Sequence, residues 1–156
     1  MVAIRVILVA IDFSDISSTV MEYAHSLASA WSARLLVVHV VYDLSYFTGI
    51  YITDTPLPEL QHRLEAEAYE RLEEICGTTF GDQVPYEVQV VTGRPVAEIY
   101  RLAREYQADC LVLGAHSVDK PEHQLFGSTT ERLLHQITCP IFIIPPPKSS
   151  EFISQG

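Results

Sequence analysis

The residues of this chain that are best suited to binding a ligand lie between positions 110 and 131. An apolar run of strand length, 110–113, ends at Gly114, a polar loop follows, and Gly127 then precedes a segment with helical periodicity. This order predicts a strand, a loop and a helix N-terminus. The first N–H groups of a helix lack helical acceptors and form the positive end of its dipole, and glycine leaves room beside them for an anion. The segment therefore predicts a phosphate site.

The hydroxyl groups that follow Gly127 allow two interpretations. Ser128, Thr129 and Thr130 could donate hydrogen bonds to phosphate oxygens. Alternatively, Ser128 is an ordinary helix N-cap, and Glu131 stands where a capping box would place its carboxylate. The local pattern leaves both interpretations open.

A second candidate, Asp12, follows another apolar run at 5–11. The residues after it are rich in N-capping types and lead into a helical pattern. The turn between run and helix contains neither GxGxxG nor GxxxxGK[ST], so it is neither a dinucleotide fingerprint nor a Walker P-loop. Asp12 is therefore either a turn or N-cap aspartate or a carboxylate that contacts a ligand.

The apolar runs alternate with helical patterns along the whole chain. Runs buried on both faces of a sheet are continuous, as here, and alternation with helices predicts a parallel sheet with right-handed crossovers. The predicted strands are 5–11, 35–41, 86–92, 110–113 and 140–144, and the predicted helices contain Val20 to Trp31, 58–76, 95–103 and Leu133 to Ile137. The remaining segments are a connection at 42–58 and a turn region at 77–85.

Four helices, two on each face, predict an open, Rossmann-like α/β fold of five parallel strands in the order 3-2-1-4-5. That order reverses between strands 1 and 4, and open sheets bind ligands beyond the carboxyl ends of the strands at such a reversal. Asp12 and Gly114 end these two strands, so both are expected to face one crevice. We expect a single domain over 1–147 and a frayed tail over 148–156.

Length and charge exclude several classes of protein. With 156 residues, 48% of them hydrophobic, the chain can bury one core. The formal net charge of -10 repels DNA, RNA and anionic membranes, and it also repels ATP unless local donors or a divalent cation offset it. The sequence has no apolar run of membrane-span length and no signal-peptide pattern, so we expect a cytoplasmic protein. Three widely spaced cysteines form neither a disulfide framework nor a CxxC metal site.

Taken together, these motifs resemble the universal stress protein family over about residues 5–145. The resemblance rests on Ala-Ile-Asp-Phe-Ser around Asp12, Val-His-Val ending at Val40, Leu-Gly-Ala-His-Ser around Gly114, Gly127-Ser128, and Cys-Pro-Ile at 139–141. Nucleotide-binding members carry Gly-x-x-Gly-x9-Gly-Ser/Thr. This chain has Gly114-x-x-Ser117-x9-Gly127-Ser128, which keeps the spacing and replaces one glycine.

The resemblance implies an adenine-nucleotide site. Asp12 and Gly114 would lie near the ribose, Val40 would meet adenine through its backbone, and His116 would neighbour the phosphate or ribose. The phosphates would be held by Ser117, Gly127, Ser128 and Thr129, and Ala10 and Ile11 complete the site beside Asp12. Another histidine, His39, lies in an apolar strand and is expected to be a satisfied core residue.

The function that this predicts is a stress-response sensor or signalling protein that binds ATP or AMP, with Mg as a possible companion, and hydrolyses it slowly or not at all. Two alternatives remain: a protein-interaction module of the same fold without nucleotide, and a weak ATP hydrolase. No GxSxG motif supports nucleophilic catalysis. His116, Asp119, Glu122 and His123 share a loop, but their spacing matches no helix-borne ligand pair, so no metal site is predicted.

The last strand bears on assembly. A short apolar edge such as Ile141–Ile144 would invite aggregation if it were left uncovered, and pairing with a two-fold mate removes that risk. We therefore expect a homodimer through this strand, and the family resemblance points to the same strand.

Overall fold

The five apolar runs form one parallel sheet in the computed structural model, which describes residues 1–47, 54–115 and 126–147. Within these residues the strands are β1 (Val6–Ala10), β2 (Arg34–Val41), β3 (Tyr86–Thr92), β4 (Cys110–Gly114) and β5 (Ile141–Ile144). Their order is β3-β2-β1-β4-β5, and every neighbouring pair is parallel. The predicted order 3-2-1-4-5 is thus confirmed.

Helices cover both faces of this sheet, as the continuous apolar runs require. The helices are α1 (Ser17–Trp31), α2 (Leu57–Phe80), α3 (Pro95–Glu105) and α4 (Ser128–Gln136). Val20 and Met21 of α1 and Leu72 of α2 belong to the core on one face, and Ile99 of α3 and Leu133 of α4 belong to the core on the other. Strand residues alternate between these two cores, so the sheet is buried on both sides.

Helix α2 is longer than the predicted 58–76. It runs through Gly77 to Phe80, although glycine inside a helix costs about 1 kcal/mol relative to alanine. The reason lies in Phe80, which is 1% exposed and packs its ring against those of His25 and Tyr86, at centroid distances of 5.9 and 5.6 Å. Burial of one large aromatic side chain outweighs the cost of the glycine.

The connection predicted at 42–58 also contains regular structure at both ends. A short 3-10 helix spans Leu44–Phe47, and α2 begins at Leu57. Residues 48–53 of the connection and the predicted tail at 148–156 lie outside the described residues. In the part of the chain that is described, no helix is long and apolar enough to cross a membrane.

Candidate functional site

A cavity of about 460 Å³ lies at the carboxyl ends of β1, β2 and β4, where the strand order reverses. Its volume falls within the range of about 300–1,000 Å³ that is usual for small-molecule sites. The cavity wall includes six of the ten residues predicted for the nucleotide site: Ala10, Ile11, Asp12, Val40, Gly114 and Thr129. Residues from three strands and from the first turns of α1 and α4 therefore line one cavity.

The other four predicted residues divide into two groups. Gly127 and Ser128 are described but lie outside the cavity wall, immediately before Thr129. His116 and Ser117 lie outside the described residues, as do Asp119, Glu122 and His123. Among the residues that are described, no group of three or more histidine, cysteine, aspartate or glutamate side chains could hold a metal ion.

Asp12 forms a turn, which is one of the two roles that the sequence offered for it. Its Oδ1 accepts hydrogen bonds from the Ser14 N–H at 2.9 Å and from the Ser17 hydroxyl at 3.3 Å. Asp12 is not the N-cap of α1, since that position belongs to Ile16. The Asp12 side chain is exposed at the cavity, and no donor from the described residues reaches its second oxygen, Oδ2. The turn interaction thus leaves one carboxylate oxygen able to accept from a ligand.

Val40 offers a backbone donor and acceptor to the same cavity. The Val38 carbonyl accepts from the Ile11 N–H, so Val38 faces β1, and Val40, two residues later, faces the same way. The Val41 carbonyl faces β3 and accepts from the Gly93 N–H. Because β1 ends at Ala10 and β2 continues to Val41, Val40 extends past its neighbour. No described residue pairs with the Val40 N–H or C=O in place of the missing strand.

The predicted turn after β1 has a backbone conformation that the sequence did not indicate. Phe13 has a φ of 60°, in the left-handed region that few residues with large side chains adopt. The continued ladder that would have paired Val40 is thereby broken. The sequence carried no signal for positive φ at this position, because neither glycine nor asparagine stands there.

His39 lies beneath this turn. Its Nδ1–H donates to the Ile11 carbonyl at 2.7 Å, so the expected hydrogen-bonded histidine is found, although it is only partly buried and also lines the cavity. Burial is the main cause that lowers the pKa of His39, and the Arg71 charge lowers it further. The Ile11 hydrogen bond and the Asp12 charge act in the opposite direction. A neutral imidazole agrees with its place against the backbone.

The opposite wall of the cavity is formed where β4 meets α4. The Gly114 carbonyl accepts a hydrogen bond from the Thr130 hydroxyl at 2.9 Å, and Thr130 is only 5% exposed. The Thr130 hydroxyl, predicted as a possible phosphate donor, is therefore already used inside the protein. Next to it the Gly127 N–H donates to the Ala115 carbonyl at 2.6 Å, so this amide is also engaged.

Helix α4 begins one residue earlier than the capping-box interpretation requires. Gly127 is its N-cap, Ser128 is its first helical residue, and no side chain caps it. The interpretation of Ser128 as N-cap is therefore wrong. The first helical hydrogen bond runs from the Glu131 N–H to the Gly127 carbonyl. Helix geometry leaves the N–H groups of Ser128, Thr129 and Thr130 without acceptors inside the helix.

Gly114 is required by packing as well as by the cavity. A Cβ at this position would lie 3.3 and 3.4 Å from two side-chain carbons of Ile16 and 3.5 Å from Val20. The absence of a side chain thus lets the end of β4 approach the first turns of α1, and Asp12 and the start of α4 line the same cavity.

Several wall residues come from parts of the chain that the motifs did not indicate. They are mostly apolar and surround the end of β2: Tyr42, Leu44, Leu64, Pro95 and Ile99. Gln61 of α2 holds this region in place, since its amide accepts from the Leu44 N–H at 2.9 Å and donates to the Tyr42 carbonyl and the Thr92 hydroxyl at 3.2 Å each. These contacts join segments far apart in sequence, and no local pattern predicts them.

The comparison with known families agrees with this geometry. A sequence model of the universal stress protein family matches residues 3–145. The chain belongs to the universal stress protein family. The resemblance that the motifs carry is thereby confirmed over nearly the whole chain.

Relatives within the universal stress protein family cover most of this chain. Universal stress protein A homolog 1 of Coxiella burnetii is 32% identical over 142 residues, with 88% of this chain and 94% of the relative covered. Universal stress protein YxiE of Bacillus subtilis is 29% identical over 142 residues, with 88% of this chain and 96% of the relative covered.

Solved structures of the universal stress protein family share the fold. Protein MJ0577 of Methanocaldococcus jannaschii has a TM-score of 0.80 at 21% identity, over 95% of this chain and all of that one. A universal stress protein in complex with cAMP has a TM-score of 0.60 at 21% identity, over 92% and 98%. An Archaeoglobus fulgidus member in complex with dAMP has a TM-score of 0.63 at 19% identity, over 92% and 99%. At these identities the likeness concerns the fold.

Proposed function

We propose that this universal stress protein binds an adenine nucleotide, with ATP as the ligand it senses, in the cavity between Asp12, Val40 and the N-terminus of α4. The observation that carries the proposal is the pair of backbone groups on Val40, which face the cavity without a strand partner among the described residues. Two solved relatives support it, since one structure is in complex with cAMP and the other is in complex with dAMP.

The base would be read by Val40. Adenine presents a ring nitrogen that accepts and an amino group that donates next to each other on one edge, and a backbone N–H and C=O complement that pair. The apolar side chains around the end of β2, among them Leu64 and Ile99, would pack on the faces of the ring. Guanine reverses the order of acceptor and donor on this edge, so the same backbone groups should discriminate against it.

The sugar and phosphates would lie toward β1 and α4. The Asp12 Oδ2 would accept from the ribose hydroxyls, and the free N–H groups at the start of α4, with the Thr129 hydroxyl, would donate to a phosphate. A net charge of -10 opposes a polyphosphate, so a divalent cation travelling with ATP would reduce the repulsion. We propose that the protein holds this ligand as a signal, with little or no hydrolysis.

Calorimetric titration with Mg-ATP, AMP, cyclic AMP and Mg-GTP tests the proposal. Asp12→Asn keeps an oxygen for the Ser14 N–H and removes the charge and one acceptor, so it should weaken ATP binding by about tenfold or more, as the loss of a hydrogen bond to a charged group requires. Asp82→Asn changes an exposed aspartate in the turn after α2 and serves as the matched control.

Absence of binding to every adenine nucleotide at millimolar concentration would contradict the proposal and favour an interaction module of the same fold. Equal affinity for Mg-ATP and Mg-GTP would contradict the role given to Val40. Phosphate release measured on the same samples separates a sensor from a weak hydrolase, since a hydrolase should lose its turnover in Asp12→Asn while remaining folded.

We also propose that two copies pair through β5. This strand is at the edge of the sheet, and Phe142, 37% exposed, packs beside Trp31, 38% exposed, at a ring centroid distance of 5.7 Å. A second β5 would cover both the open backbone edge and this aromatic surface. Sedimentation equilibrium should give a dimer, and Phe142→Glu should shift it to monomer. A monomeric unaltered protein would contradict this proposal.

A further inference from the structure

Phe13 has an unfavourable backbone conformation, and two side chains from other elements lie against its ring. A left-handed φ of 60° is rare for a residue with a large side chain, and such conformations persist only where the surroundings enforce them. The His39 imidazole lies at a ring centroid distance of 4.3 Å from Phe13, and the Arg71 guanidinium carbon lies over the Phe13 ring, 4.3 Å from its centroid. These three side chains come from the β1–α1 turn, β2 and α2, and we refer to them as the Phe13 stack.

The Phe13 stack fixes the backbone on both sides of Asp12. Before Asp12, the Ile11 carbonyl accepts from the His39 Nδ1–H at 2.7 Å. After Asp12, the same imidazole contacts the Phe13 ring. A single histidine therefore holds the residues that flank the carboxylate, while the Ser14 N–H and Ser17 hydroxyl hold its Oδ1.

Arg71 completes the arrangement from a helix rich in glutamate. Although α2 carries many carboxylates, none from the described residues lies within ion-pairing distance of Arg71. The guanidinium instead lies over an aromatic ring, where it is attracted by the negative face of the π-system. The Arg71 cation thus contacts Phe13 from α2 and helps to hold its ring.

We infer that His39, Phe13 and Arg71 are positioning residues that hold the Asp12 carboxylate in place for the ribose of the nucleotide. This inference rests on the proposed nucleotide site and extends it to three residues, of which Phe13 and Arg71 lie outside the cavity wall. Their contribution to binding affinity should depend on ribose hydroxyls in the ligand. A contribution to folding alone would affect the affinity for every ligand of the cavity.

The test compares ATP with its 2′,3′-dideoxy analogue, which offers Asp12 no hydroxyl. The unaltered protein should prefer ATP by about tenfold, the least that a hydrogen bond to a charged group provides. Phe13→Ala removes the ring, and His39→Phe keeps a ring for the stack but removes the donor to the Ile11 carbonyl. Both variants should lose most of this preference. Phe13→Ala, whose side chain lies outside the cavity wall, should bind the dideoxy analogue within about twofold of the unaltered protein.

Two matched controls separate positioning from loss of structure. Phe13→Tyr keeps the stacked ring and should keep the preference for ATP, and His62→Phe places the same substitution at an exposed histidine of α2 and should also keep it. Circular dichroism and thermal unfolding establish that each variant is folded. If Phe13→Ala is unfolded, Arg71→Met, which removes only the cation above the ring, takes its place and should reduce the preference at least about twofold.

Absence of the nucleotide site and absence of the positioning role would give different binding results. If the unaltered protein binds neither ligand, the proposed function is contradicted. If it prefers ATP and the folded variants at Phe13 or His39 keep that preference undiminished, the positioning role is contradicted and the nucleotide site stands. Equal weakening for both ligands would likewise overturn the positioning role, because the Phe13 stack would then support the cavity in general.

Discussion

Thr129 and Thr130 are neighbours on α4 with the same side chain and opposite roles, and identical substitutions should show this. The Thr130 hydroxyl is buried and donates to the Gly114 carbonyl at 2.9 Å. The Thr129 side chain is partly exposed at the cavity wall, and its hydroxyl bonds to no other described residue. Valine has nearly the shape and helix propensity of threonine, so Thr→Val at either position removes the hydroxyl and little else.

The loss of stability expected for Thr130→Val follows from the hydrogen bond that the Thr130 hydroxyl donates. Removing the donor loses a bond worth about 1 kcal/mol and leaves the partly buried Gly114 carbonyl without it, which brings the expected loss to about 1–2 kcal/mol. For a chain of 156 residues this corresponds to a fall in Tm of about 2–8 °C. Thr129→Val should change the free energy of unfolding by less than about 0.5 kcal/mol, since nothing buried is disturbed.

Urea denaturation followed by circular dichroism measures the difference in stability between the two variants, and calorimetric titration with Mg-ATP measures the difference in nucleotide affinity. Thr130→Val should be the less stable variant, and Thr129→Val should be the weaker binder. If both variants unfold at the same urea concentration as the unaltered protein, the hydrogen bond to Gly114 does not stabilise the fold, and our reasoning about this wall of the cavity is refuted.

Two further predictions concern the other walls. Gly114→Ala should lower the free energy of unfolding by about 1–3 kcal/mol in urea denaturation. The added Cβ would lie 3.3 Å from Ile16, and neither Ile16 nor Val20 can move freely in a packed core. An unchanged free energy of unfolding would mean that α1 shifts to make room for the methyl group. Because the folded protein lowers the pKa of His39 mainly by burial, the unfolded chain takes up a proton first as the pH falls below about 6.5, and stability is lost from there down to the folded pKa. His39→Asn keeps a donor for Ile11 and cannot titrate, so its stability deficit relative to the unaltered protein should be smaller at pH 5.5 than at pH 7.5; an equal deficit at both values would contradict the assignment.

The features that sequence patterns predicted are the type of each segment and the topology that follows from the alternation of strands and helices. Continuous apolar runs identified the buried strands, and their alternation with helices fixed the strand order and the crevice between Asp12 and Gly114. The start of α4 was predicted as an anion site, but which of its groups are free was not. Gly127 and Thr130 are engaged by carbonyls of β4 and its next residue, and that pairing depends on how two distant segments meet.

The features that the patterns missed depend on tertiary contacts. The left-handed turn at Phe13 arises from a ring held by β2 and α2, and a phenylalanine gives no local signal for positive φ. Similarly, α2 continues past Gly77 because Phe80 finds a buried place against α1 and β3. In both cases packing overrides a local preference worth about 1 kcal/mol.

The same distinction explains how an acidic chain can offer a site to an anion. With 20 acidic and 10 basic residues, long-range attraction cannot supply the binding energy, so donors must act at contact distance. The donors that the proposed site provides are largely main-chain groups, at Val40 and at the start of α4. Their positions are set by where β1 stops short of β2 and where α4 begins, and not by which side chains stand there. A site of this kind depends on strand lengths and turns. The residues whose identity matters are then those that set these backbone positions, namely Gly114, which lets β4 approach α1, and the Phe13 stack, which we infer holds the turn after β1.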